Sequence, residues 1–202
     1  MAIWMKLASA KNTSGSNVAY IETGTFTANE FLRVECIINK GANCGADVVT
    51  FNDDTTSQTY ASRLSEHDGA DAATNQTSAN FLDFSKDGED NEYFVMTIAN
   101  KLNKEKLMEV EYISRDGGNG NSNSPKRAEW AAKWAQNAQI VKIKVSGNSQ
   151  TGFADGTEIT VYGSEGTTTP AVNPNLTNGT LFEENDTGKI YMWDGTSAWN
   201  EI

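Results

Sequence analysis

Little in this sequence is equipped for covalent chemistry. Its 202 residues include one histidine, two cysteines and three prolines. That is too few nitrogen and sulfur ligands for a zinc site. Cys36 alternates with Leu32, Val34 and Ile38 and reads as a small core side chain. Cys44 lies in the turn-like stretch 41–45. A bridge between the two is geometrically open, but a reducing folding compartment favours two thiols. No apolar run approaches the ~20 residues that a membrane span requires. Met1–Lys6 has no basic region followed by an apolar stretch, which predicts folding in a cytoplasm. Basic residues are also short, 16 against 27 acidic ones, for a net charge of −11. Such a surface repels phosphate backbones and anionic lipid, which argues against nucleic-acid partners and favours solubility. No glycine-rich phosphate loop is present.

What the sequence does contain is strand signal. Hydrophobic residues make up 38% of the chain, enough for a core, and glycine, asparagine, serine and threonine supply polar turns. Residues 30–39 place Leu32, Val34, Cys36 and Ile38 on one face, with Arg33, Glu35 and Asn39 on the other. Residues 107–113 set Met108, Val110 and Tyr112 against Glu109 and Glu111. Residues 140–145 set Val141, Ile143 and Val145 against Lys142 and Lys144. Residues 92–99 are apolar on both faces, as in the central strand of a sandwich. Shorter candidates are 18–21, 47–52, 59–64, 80–84 and 158–162, separated by turn clusters such as Asn52-Asp53-Asp54 and Asp116-Gly117-Gly118. The spacing predicts an all-β, antiparallel sandwich.

One segment is ambiguous. Residues 125–138 begin with a proline and carry Trp130 and Trp134 four apart among alanines, a helical pattern. Ala128, Trp130, Ala132 and Trp134 also line one face of a strand, and periodicity does not choose between the two. Either way the tryptophans read as core. After Gly163 the composition becomes small, polar and proline-bearing, so 165–178 reads as a linker. Residues 179–202 then form three short apolar runs divided by turns, a small β meander. So small a unit buries little alone and should pack on a partner subunit or a symmetric copy.

Candidate chemistry is sparse. His67 sits in Ser65-Glu66-His67-Asp68, where adjacency in a loop does not bring the groups of a relay together in space. Glu109 and Glu111 face outward, whereas a glycosidase acid needs an apolar pocket. Asp53, Asp54 and Asp116 are oxygen ligands in loops, but their spacing matches no EF-hand and they read as turn formers. No catalytic residue, metal ligand or cofactor is therefore assigned. Tyr191, Trp193 and Trp199 are the one candidate binding set. Exposed, they would stack on the apolar face of a sugar; facing inward, they form the meander's own core, which so small a unit needs.

Four stretches together resemble a known family. EFLRVECIIN (30–39), TFNDDTTSQTYASRLS (50–65), KWAQNAQIVKIKV (133–145) and FADGTEITVYG (153–163) are similar to the strand series of jelly-roll proteins on the virions of tailed phages, especially marine and aquatic ones. The likeness spans most of residues 3–164, and residues 178–202 resemble a hairpin module found at the ends of phage structural proteins. The resemblance implies a strand, not a helix, at 128–134. It also implies a non-enzymatic protein on the virion surface, as head decoration, head fibre or tail-fibre component, built as a trimer or pentamer. Fibres of this family usually begin with a separate anchoring domain, whereas here the strand pattern starts close to Met1, which leans toward a small decoration or accessory protein.

The expectation is thus a jelly-roll-like sandwich over 1–164, a linker over 165–178 and a meander over 179–202. Its partners would be other virion proteins and further copies of the chain. A lectin-like module binding a cell-surface glycan is the alternative, and a hydrolase of surface polysaccharide ranks last.

Overall fold

The computed structural model describes residues 4–40, 47–66, 73–79, 81–84, 91–114, 125–147, 152–164, 178–184, 188–195 and 199–202. Cys44, His67, Asp68, Asp116 and all of the expected linker but Asn178 lie outside these residues. The chain divides into two compact units, Met1–Gly166 and Thr167–Ile202. Among the described residues all regular structure is β, and every strand pairing is antiparallel.

The first unit contains β1 (Met5–Lys11), β2 (Tyr20–Glu22), β3 (Phe31–Asn39), β4 (Asp47–Phe51), β5 (Tyr60–Glu66) and β6 (Ala73–Ala79). It continues with β7 (Leu82–Asp83), β8 (Asn91–Ala99), β9 (Lys106–Ser114), β10 (Lys126–Trp134), β11 (Ile143–Gly147) and β12 (Glu158–Ser164). One sheet runs β1-β12-β3-β8-β9-β10-β5-β6 and the other β2-β11-β4-β7. Four pairs are nested one inside the next: β1 with β12, β2 with β11, β3 with β8 and β4 with β7. A paired ribbon rolled so that alternate pairs fall in opposite sheets is the jelly-roll arrangement. β5–β6 and β9–β10 are additions to that frame, inserted in separate connections, and they pair with each other through β5 and β10. They widen one sheet from four strands to eight.

The core between the sheets follows from period-two alternation. Leu32, Val34, Cys36 and Ile38 of β3 are fully buried, as are Val49 and Phe51 of β4 and Ile143 and Val145 of β11. β10 is a strand along its whole length, in unbroken register with β9 and β5. Trp130 lies opposite Val110 and Leu64, and Trp134 opposite Lys106 and Tyr60. Its local helical pattern is overridden because two strands offer it partners on both sides, while the alternating alanines leave room for both indoles. Trp130 meets Phe84 and Tyr112 edge-on, at ring distances of 5.3 and 5.6 Å. Trp134 packs on Phe51 and Tyr60.

Two strand expectations need correcting. β8 is central, with Glu92, Phe94, Met96 and Ile98 facing inward, but on its other face Tyr93 and Thr97 are exposed and Val95 alone is buried. The second sheet covers one side of the first and leaves the other to solvent. The strand expected over 140–145 begins at Ile143. Upstream of it, Val141 O and Lys142 O accept from Phe26 N and Asn52 N, while side chains serve the amides. Asn52 Oδ1 accepts from the amides of Val141 and Lys142 at 2.9 and 3.1 Å, and Asn100 Oδ1 accepts from Ile140 N at 2.7 Å.

In the second unit β13 (Leu181–Glu184), β14 (Lys189–Trp193) and β15 (Trp199–Glu201) form a meander in that order. Gly195, between β14 and β15, has a φ of +84°, and a Cβ there would lie 2.8 Å from Asn178, so that turn requires glycine.

Candidate functional site

Residues directly opposite in an antiparallel pair share a face. Register in the small sheet places Phe182 opposite Tyr191 and Trp193 opposite Trp199. The three aromatic candidates therefore lie on one face, Tyr191 and Trp193 by period two and Trp199 by its register with Trp193, together with Phe182. That residue was not singled out in the sequence, although its pairing with Tyr191 is what closes the group. Phe182 packs against Tyr191 and Trp199 at 6.3 and 6.0 Å, and Trp193 against Trp199 at 5.5 Å. Trp193 is 4% exposed, Tyr191 and Trp199 are half-buried, and Phe182 is exposed. The rings tilt onto one another, so Trp193 serves as local core and not as an open platform.

The opposite face of this sheet is aliphatic. Leu181 pairs with Met192, Ile190 follows the same alternation, and Ile202 donates its amide to the carbonyl of Ile190 at 2.9 Å. All four side chains are exposed, Leu181 and Ile202 by 61% and 65%. Glu183, on the edge strand β13, is opposite Ile190. Both faces of a three-stranded sheet are thus apolar, and one is bare.

The loop candidates have structural roles in the first unit. Asn52 and Asp53 both take left-handed φ values, 52° and 58°. Asp53 pairs with Lys142 at 3.0 Å. Asp54 accepts from Trp134 Nε1 at 2.8 Å, Gln136 Nε2 at 3.3 Å and Thr56 N at 2.9 Å. Burial pulls the Asp54 carboxyl upward, but the hydrogen bonds from Thr56, Trp134 and Gln136 outweigh it and hold the group below its ordinary range. Tyr60 donates to Asp54 O and accepts from Phe51 N, and burial holds its phenol above the ordinary range. Beside them Lys106 is wholly buried, its ammonium donating to the carbonyls of Lys104, Gln136 and Asn137. Desolvation lowers its pKa. The sequence reading passed over Lys106, although it falls on the inward face shared by Met108, Val110 and Tyr112.

Glu109 and Glu111 are exposed on the outer face of the large sheet, as expected. Glu109 and Glu129 border a shallow concavity of about 270 Å³ with Arg63, Ser65 and Ala131. Glu129 is paired with Arg127. Neither carboxylate sits in an apolar pocket of the kind that makes a general acid. Among the described residues no three of histidine, cysteine, aspartate and glutamate converge on a metal position, and no helix is long and apolar enough to cross a membrane. Set against known proteins, the chain matches no family model, no curated protein and no solved structure.

Proposed function

We propose that this chain is a structural protein of a phage particle, displayed on the virion surface and self-associating into a symmetric oligomer. The observation that carries this reading is the bare aliphatic face of Leu181, Ile190, Met192 and Ile202. Apolar faces of this kind on small sheets are completed by a neighbour. On a chain of net charge −11, a mainly aliphatic face, with Glu183 on its edge strand, is where acidic copies can meet with little repulsion. The nested strand order agrees with the jelly-roll proteins of phage surfaces that the sequence resembles. The acidic exterior would keep assembled particles apart. Capsid decoration, head fibre and tail accessory are the positions this reading covers, with other virion proteins as partners.

A reconstruction of particles from infected cells tests the reading. The expected result is jelly-roll density repeated about a three-fold or five-fold axis on the outer surface. Finding the chain exclusively in the soluble fraction, away from particles, overturns it.

A second reading, a lectin-like module for a cell-surface glycan, draws on exposed Phe182 beside half-buried Tyr191 and Trp199 on the aromatic face. It predicts a glycan-dependent change in tryptophan fluorescence. Unchanged emission across a glycan panel removes it.

A further inference from the structure

At the end of the sandwich opposite Asp54, two charged side chains lie inside the protein. Lys40 directly follows β3, and Glu92 is the second residue of β8. These strands are hydrogen-bonded neighbours, with Asn39 opposite Asn91. The two side chains keep 2% and 0% of their exposure. Alternation explains the position of Glu92, which shares the inward face of β8 with Phe94, Met96 and Ile98. Lys40 Nζ touches Glu92 Oε1, yet neither oxygen of Glu92 accepts a hydrogen bond among the described residues.

An ion pair held in this way is costly. Each ion gives up its water, and a buried carboxylate ordinarily recovers that loss through several hydrogen bonds. Condensation of the amine with the carboxyl removes both charges at once and leaves a neutral amide, which a dry site accommodates at less cost. Once it has given up its proton, a lysine amine is a nucleophile. Here its target acyl carbon is held beside it by two paired strands, the condition under which an intramolecular reaction is fastest.

We propose that Lys40 and Glu92 become joined by an isopeptide bond between Lys40 Nζ and Glu92 Cδ. In the step a proton passes from the ammonium to the carboxylate, the freed nitrogen lone pair adds to Cδ, and the adduct expels the hydroxyl, which takes a second proton from the nitrogen and leaves as water. One N–C bond forms and one C–O bond breaks. Nothing is oxidised or reduced, and no co-reactant is required. Exclusion of water from the site favours the amide over its hydrolysis. Ser114 lies directly opposite Glu92 on β9, with a buried hydroxyl that makes no hydrogen bond among the described residues. The bond ties β3 to β8 and encloses β4 to β7 in a covalent loop. It restricts the unfolded chain as a disulfide does, without needing an oxidant.

Mass spectrometry of the purified full chain, denatured and reduced, tests the proposal. After allowance for the initiator methionine, the expected mass is one water below that of the sequence. A tryptic digest should yield a branched peptide containing Lys40 and Glu92, uncut after Lys40. In Lys40→Arg the missing water returns. In Glu92→Gln the same amide forms with loss of ammonia. A native chain of full sequence mass, whose Lys40 amine is acetylated after denaturation, overturns the proposal. The native chain decides by itself, so a variant that fails to fold leaves the test intact.

Discussion

In the sandwich, Trp134 lies against Phe51 and Tyr60 and its indole N–H reaches Asp54, leaving it 2% exposed. In the small sheet, Trp193 is buried against Trp199, while Leu181, Ile190, Met192 and Ile202 on the other face stand in solvent. The two units are built from strands of similar composition. What separates them is that the first has two facing sheets, so every inward side chain meets another. The second has a single sheet with a local core on one face only, and on the proposed reading its other face is completed by another molecule. If the proposed self-association holds, stability of the first unit is a property of the chain and stability of the second a property of the assembly.

The largest effect expected from breaking this contrast is in the sandwich. Trp134→Ala removes a packed indole and a hydrogen bond, and should lower stability by about 3–5 kcal/mol in urea unfolding of the full chain. Next comes Lys106→Met, which leaves three carbonyls without their donor and should lower stability by about 2–4 kcal/mol on the same measurement. Asn52→Ala removes two accepted bonds and one donated to Gln139 O, and puts alanine at a left-handed φ, for about 2 kcal/mol. Asn52→Gly, which removes the bonds and relieves the backbone, should be the milder of the two.

A smaller effect comes from pH. Asp54 has a folded pKa below its unfolded one. Its contribution is complete above the ordinary carboxylate range and is lost as pH falls through the lowered folded value. Titrating the urea midpoint downward through the acid range should show that loss in the native chain and its absence in Asp54→Asn, which keeps an acceptor for Trp134. The smallest effect on the sandwich should come from Leu181→Lys with Met192→Lys, which leaves its unfolding midpoint unchanged while altering assembly.

The strands that were easiest to read in the sequence are those with one dry and one wet face. β3 and β9 show it residue by residue, from Leu32 to Ile38 and from Met108 to Tyr112. β10 was ambiguous locally because Trp130 and Trp134 fit both periods. The information that decides is held in β9 and β5, far away in sequence. β1 and β6 were not singled out, since MKLASAK and ATNQTSA are edge strands with few large apolar side chains. The aromatic candidates of the small sheet were legible because Tyr191 and Trp193 are two apart. Phe182 was not, because its place depends on the register of a hairpin. Lys40, Glu92 and Lys106 escaped for a different reason. Composition assigns lysine and glutamate to the surface, whereas extending the strand alternation by one step places Glu92 and Lys106 inside.

Sedimentation velocity across a wide concentration range, on the native full chain and on the Leu181→Lys, Met192→Lys variant, tests the self-association claim most directly. The account predicts a single closed oligomer of three or five copies for the native chain, and a monomer with the same sandwich stability for the variant. A native chain that sediments as a monomer at every concentration, or a variant that assembles as the native chain does, would contradict it.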